Sequence, residues 1–402
     1  MRLFWCAGTC DALGSQMSGL VLPLLLLSLG RTPAEVGAVA GVCAAATLLL
    51  GPFAAVPADR GARKKVMVGA ALVSAAAMTG VALAVRSGTV PMAVLIGAVL
   101  VERSATSCYE AASLGTVALV CPPAEHRRVL SRLQAGERAA LVLGPALGGL
   151  LFQAGRWLPF LADALSYVVA AGCIRALRTE LSPPREQRPP AGPRRNWRAA
   201  AAEAGAGVAL IRREPLLRLA LGWLSAVNGL LAALYYTTVF ALQDQGRGAA
   251  GPGLVLALAG AAGLAGALLA PRLAGRRSPT RVLVAVSWLM LPPAAALAAA
   301  RDAWQFGLLF GLLCLLTPLA TVALQARIIQ VIPPGLQART GTVLATASGA
   351  AAALAPALAG LAADRVGPGT TLVGCAVLLA AVALHATWAA PALTRGTGEE
   401  PA

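Results

Sequence analysis

Four ionisable residues sit within stretches that are otherwise apolar: Asp11, Glu102, Arg103 and Asp163. A charge held in hydrocarbon costs on the order of 3 kcal/mol even on permissive insertion scales, so such residues mark ion pairs, proton relays or cargo contacts. A carboxylate beside a guanidinium is suited to proton traffic. Burial penalises the charged acid, the cation favours it, and movement of either partner decides whether a proton is held. Asp11 is expected to pair with Arg103, with Glu102 as the titrating acid; the alternative is a permanent structural ion pair. A rise of about 1.5 Å per helical residue puts Asp11 roughly 12 Å into its block. The same count puts Glu102 and Arg103 roughly 18–20 Å into theirs, a matching depth for two antiparallel spans. Asp163 lies roughly 9 Å into its block, where it is expected to snorkel or to cap locally.

These residues need helices to hold them. Apolar blocks fall near 3–29, 33–57, 66–85, 90–117, 139–155, 157–176, 217–242, 251–271, 282–300, 306–326, 341–363 and 370–391. About 20 apolar residues cross a hydrocarbon core of roughly 30 Å, so the pattern reads as twelve transmembrane helices. Charge supports the count. With both ends placed in the cytoplasm, 26 of the 33 Lys and Arg residues fall on that side. The outer loops hold one each, Arg31, Arg86, Arg156, Arg247, Arg301 and Arg365, and Arg103 lies inside a helix. Moving the phase by one helix would invert this bias, which sets the orientation by the positive-inside rule.

A mean hydropathy of +0.73 excludes an ordinary soluble domain. A net charge of +16 invites a nucleic-acid reading. It fails, because the charge is spread over short loops whose topology already explains it; the fitting partner is the anionic inner leaflet of a lipid bilayer. Arg outnumbers Lys 31 to 2 in an Ala-rich chain, the coding signature of a high-GC bacterial genome. The eight cysteines, at 6, 10, 43, 108, 121, 173, 314 and 375, form no Cys-x-x-Cys pair and read as small apolar fillers. No metal site and no cofactor are expected. The first block leads into further spans and reads as a retained signal-anchor helix.

The longest polar stretch, 177–216, opens with a Pro-rich run and divides the chain into six spans on either side. Residues 1–178 and 217–402 are the expected domains, with 179–216 as a cytoplasmic linker; its second half, about 197–213, has helical composition. The halves look related. Gly144-Pro145-Ala146-Leu147-Gly148-Gly149-Leu150-Leu151 has a counterpart in Ala355-Pro356-Ala357-Leu358-Ala359-Gly360-Leu361-Ala362. The basic loop 58–66 matches 274–282 at a similar offset. The expected fold is all-α integral membrane, with twelve helices in two pseudo-symmetric six-helix bundles, the build of a carrier that rocks one half against the other.

These motifs resemble the major facilitator superfamily across nearly the whole chain. Pro57-Ala58-Asp59-Arg60-Gly61-Ala62-Arg63-Lys64 is similar to that family's G-x-x-x-D-R-x-x-R-R signature between helices two and three, with Ala55 in place of the leading glycine. The resemblance implies a cytoplasmic gate: Asp59 docks against the eleventh helix, and Arg60, Arg63 and Lys64 form the cation cluster, with Glu110 paired to Arg63. A carboxylate at a helix N-terminus gains about 0.3–1 kcal/mol, a size suited to a latch that must reopen. Gly144-Pro145-x-x-Gly148-Gly149 is similar to a fifth-helix motif of the family's exporters. The stretches 11–16 and 159–166 look like the branch that holds siderophore and multidrug exporters. In the resembled fold, spans one and four line a central cavity.

No metalloprotease, nucleophile-elbow or Walker motif is present, so neither catalysis nor ATP use is expected, and a proton gradient is left as the energy source. Gln16, Asn228, Tyr235, Tyr236, Thr317 and Gln325 are the candidate substrate contacts. Spans rich in Ala, Leu and Val favour an apolar or amphipathic small molecule, since a buried polar cargo needs more hydrogen-bond partners. The resulting expectation is a monomeric proton-coupled exporter in a bacterial plasma membrane, with uptake of a small metabolite or movement of a lipid as the alternatives. Single-cysteine labelling in a cysteine-free background tests the topology. An impermeant thiol reagent should reach Arg247→Cys from outside and Arg194→Cys only after permeabilisation, and the reverse pattern would overturn it.

Overall fold

A computed structural model of the chain describes residues 2–59, 63–88, 91–120, 126–177, 205, 207–245, 250–274, 279–332 and 336–394. Among them every regular element is helical. Backbone amides in hydrocarbon must be satisfied within their own segment, and a helix does this for an apolar run of any side-chain pattern. The first six helices are α1 (Arg2–Ser28), α2 (Pro33–Asp59), α3 (Arg63–Arg86), α4 (Met92–Val120), α5 (His126–Ala154) and α6 (Leu158–Ala176). Seven more follow: α7 (Pro215–Asp244), α8 (Ala250–Ala274), α9 (Pro279–Leu289), α10 (Leu291–Ala296), α11 (Ala303–Val331), α12 (Gln337–Val366) and α13 (Pro368–Thr394). Ten of the described helical stretches are long and apolar enough to cross a membrane, and two shorter apolar stretches, Pro33–Thr47 and Val142–Ala154, lie in α2 and α5. The span near 282–300 is broken: α9 stops before Pro292 and Pro293, α10 restarts, and a 3₁₀ turn at Leu297–Ala299 ends it. Proline removes a donor and crowds the preceding turn, which accounts for the break. Of the linker's expected helical half, 207–213 is helical and the rest lies mostly outside the described residues.

The chain ends of these helices are closed locally. Thr32 and Glu35 cap α2 reciprocally, backbone to side chain, at 2.9 and 3.2 Å. Asp302 and Gln305 form the equivalent box before α11. Gly30, Gly88 and Gly367 turn the chain with positive φ, where a side chain would be strained.

Two compact units result: Met1–Arg31, Val42–Ala191 and Arg247–Ala257 form one, and Thr32–Gly41, Gly192–Gly246 and Leu258–Ala402 form the other. In the first, α1 packs on α5 and α6, and α3 packs on α4 and α6. In the second, α7 packs on α12 and α13, and α9 packs on α11 and α13. The start of α2 belongs to the second unit because glycine lets it touch α12: a Cβ on Gly37 would overlap the Pro356 carbonyl, and one on Gly360 the Pro33 carbonyl. The start of α8 belongs to the first unit on the same principle, with Gly253 set against Pro145 and Gly149. Small residues at a crossing are what membrane helices use in place of a hydrophobic driving force. The core of the first unit gathers Phe4, Met67, Tyr109 and Ile174 from α1, α3, α4 and α6. Many large apolar side chains, Leu268, Leu358 and Val377 among them, point outward, the inverse of a water-soluble fold.

Candidate functional site

The densest polar chemistry lies where α1, α4 and α6 of the first unit meet. On α4, Glu102 and Thr106 are one turn apart, and the Thr106 hydroxyl donates to Glu102 Oε1 at 3.0 Å. From α6, the Tyr167 hydroxyl donates to the same oxygen at 2.5 Å. From α1, the Ser15 hydroxyl lies 3.1 Å from the Tyr167 hydroxyl. The other carboxylate oxygen, Oε2, lies 3.4 Å from Arg103 Nε. Glu102 is 2% exposed and Arg103 30%, so the acid is sealed while the guanidinium keeps an open side. An ionised carboxylate only accepts hydrogen bonds, and two hydroxyl donors with a cation at the second oxygen suit Glu102 to that form.

Asp11 is also buried, but its Oδ1 has no hydrogen-bond partner. The charged groups within its range are acids, Glu110, Asp163 and Glu102. The expected Asp11–Arg103 pair is not formed among the described residues. Arg103 engages its own neighbour Glu102, and its guanidinium points along α1 to Gly19, where a Cβ would lie 3.9 Å from Nη2. Eight residues of helix separate Gly19 from Asp11, an axial distance of about 12 Å. Asp163 departs further from expectation. It is fully buried and faces α1, so it neither snorkels nor caps at a surface.

The gate residues are partly visible. α2 ends at Asp59, whose side chain, like Arg60, lies outside the described residues. Lys64 Nζ donates to the Leu177 carbonyl at 2.5 Å, which closes the C-terminal end of α6 with a cation where the helix dipole favours one. Among the described residues no ion pair between Glu110 and Arg63 is seen; Glu110 is exposed and lies in the field of Arg103 and Glu137. In the fifth-helix motif, Gly144 and Gly148 seat α5 on α1 at Gln16 and Met17, and Pro145 and Gly149 meet Gly253 of α8. Gln16 therefore packs at a helix crossing.

The remaining candidates are in the second unit. Tyr235 and Tyr236 meet edge to face with centroids 5.2 Å apart, and the Tyr235 hydroxyl is buried without a partner. Thr317 returns its hydroxyl to the Leu313 carbonyl at 2.8 Å, and Asn228 donates to the Leu224 carbonyl at 2.8 Å. Gln325 is exposed. A groove of about 1070 Å³ opens between α7, α12 and α13, lined by Leu230, Thr371 and His385 and by Leu354, Leu358 and Leu378, which belong to the exposed apolar exterior. The ionisable cluster is not part of it. Three participants of the cluster, Ser15, Thr106 and Tyr167, were missing from the sequence-based set. Their signal was the polar face Ser15-x-x-Ser18 on α1 and the i, i+4 pair Asp163 and Tyr167 on α6.

Comparison with known proteins places this geometry. The family model described as Major Facilitator Superfamily matches residues 4–356. The chain belongs to the Major Facilitator Superfamily. A bacterial homologue of the human lysosomal transporter Spinster, inward-facing and unoccupied, superposes with a TM-score of 0.76 at 14% identity, covering 100% of this chain and 98% of that one. The nucleoside transporter NupG gives 0.74 at 13% identity over 97% and 99%. The human organic anion transporter MFSD10 gives 0.61 at 18% identity over 96% and 98%. At these identities the likeness shows the fold. No characterised protein sequence matches at a significant level. The protein is thus a multi-pass membrane protein with a transporter fold.

Removing the Tyr167 hydroxyl tests the Glu102 network. Hydrogen bonds between membrane helices average about 0.6 kcal/mol, and a charged acceptor raises the value towards 2. Tyr167→Phe should therefore lower the thermal midpoint in detergent and slow energised transport several-fold. Ser15→Ala, one bond further from the acid, should do much less; equal effects would mean that Tyr167 serves packing alone.

Proposed function

We propose that this chain is a proton-coupled secondary transporter that exports an apolar or amphipathic small molecule by alternating access. Its twelve spans form two six-helix halves, with both termini in the cytoplasm of a bacterial cell. The reading of two repeats is supported by the helix pairs: α1 with α5 and α6, and α3 with α4 and α6, recur six spans later as α7 with α12 and α13, and α9 with α11 and α13. Coupling is assigned to Asp11, Glu102 and Arg103. The observation that carries it is the sealed Glu102, held by Tyr167, Thr106 and Arg103 with Asp11 close by. A group that must lose and regain charge once per cycle needs stabilisation in both forms, and a single movable cation supplies it.

Export is supported by the fifth-helix glycines that seat α5 against both α1 and α8. The structural relatives are named for cargoes as different as nucleosides and organic anions, so the cargo class rests on this chain's own lining. Leu and Ala side chains dominate the groove beside α7. A polar metabolite would find few free partners there.

The test is a reconstituted carrier and a panel of lipophilic compounds. Transport should follow an imposed pH gradient, collapse with a protonophore, and ignore ATP while the gradient is held. Uphill movement driven by ATP without any ion gradient would overturn the assignment.

A further inference from the structure

Asp163 is the acid that the coupling centre above leaves unused. It is 0% exposed. Its side chain points at α1 where Gly14 leaves room: a Cβ there would overlap Asp163 Oδ1 and the Ser166 hydroxyl. Ser166 donates to the Asp163 carbonyl at 2.8 Å and lies 3.5 Å from Oδ1, and the nearby Ser18 hydroxyl donates to the Ser15 carbonyl at 3.3 Å. Oδ2 is buried without a partner. The charged and titratable groups that reach it are Glu102 and Arg103 from α4, Asp11 from α1, and Tyr167 one turn along its own helix. Among the described residues α3 and α5 contribute none.

The charge count decides its state. Among the described residues three buried acids, Asp11, Glu102 and Asp163, share one cation, Arg103. An uncompensated charge is strongly disfavoured in such surroundings, so one acid at most is ionised against Arg103. Glu102 has the guanidinium and two hydroxyl donors; Asp163 has neutral hydroxyls and an orphaned oxygen. Two acids in one site with opposed environments divide the roles of base and acid between them.

We propose that Asp163 is a proton-binding site in its own right, loaded in this conformation while Glu102 is ionised, so that the centre titrates at two acids. The proposal rests on the proton-coupled reading. Arg103 is within electrostatic range of both acids, so its withdrawal from Glu102 leaves that acid to take a proton, and its approach to Asp163 lets that acid release one. The O–H bond broken at Asp163 is matched by the one formed at Glu102; when Arg103 returns, Glu102 gives that proton to solvent and Asp163 reloads from the other side, so one net proton crosses per cycle.

Infrared difference spectroscopy of the purified carrier across a pH step reads protonated carboxyl groups directly. Asp163→Asn should lose one protonated-carboxyl band present in the wild type, Asp163→Glu should restore a band at a shifted frequency, and Glu102→Gln should leave the Asp163 band in place. Gly14→Ala, which keeps the acid but displaces its carboxyl group, should shift the same band, and it serves if Asp163→Asn does not fold. In proteoliposomes Asp163→Asn should move one proton fewer per cargo molecule. An unchanged band set and proton count in Asp163→Asn, with coupling lost in Glu102→Gln, would overturn this proposal alone. If neither substitution changed proton movement while cargo still accumulated, the coupling reading would fall as well.

Discussion

A single guanidinium organises the interior of the first unit. Hydrocarbon does not solvate charge, so each buried acid must be neutralised by a cation, by hydroxyl donors or by a proton. Among the described residues Arg103 is the one base beside Asp11, Glu102 and Asp163, and it contacts Glu102. The rest of the cluster follows from that scarcity. Tyr167 and Thr106 supply the donors that the cation leaves unmet, and Ser15 and Ser18 line the face of α1 that these groups approach. The arrangement is suited to switching because moving one side chain changes which acid can hold its charge.

Close helix contact is the second requirement. A polar cluster between helices works only if the backbones come near enough for short hydroxyl bridges. Gly144 and Gly148 seat α5 on α1, Gly136 does the same at Thr9, and Gly14 opens the gap that Asp163 and Ser166 enter. Glycine in these positions does packing work and, at Gly14, shapes the electrostatics of the neighbouring acid. Lys64 contributes in a comparable way, since it closes the end of the helix that carries Asp163 and Tyr167.

Much of the architecture could be read from hydropathy. Block 3–29 corresponds to helix Arg2–Ser28, and block 66–85 to Arg63–Arg86. Length and apolarity set these spans without reference to neighbours. α5 begins at His126, well ahead of its apolar block at 139, because a helix continues through a basic amphipathic stretch that hydropathy alone does not count. The site was legible by depth and opaque by partner. Counting residues placed Glu102, Arg103 and Asp11 at matching levels, but axial distance says nothing about rotation. It therefore paired Arg103 with Asp11 across two helices, where the fold pairs it with the adjacent Glu102. Asp163 was placed near a surface for the same reason, since its burial depends on a glycine nearly 150 positions earlier.

The most direct measurement compares two modes of transport in one variant. In proteoliposomes, Glu102→Gln fixes the acid in an uncharged form that resembles its protonated state. Cargo exchange, which needs no net proton release, should persist, and uphill transport driven by a pH gradient should be lost. Uphill transport at the wild-type rate with unchanged pH dependence would contradict a role for Glu102 in coupling.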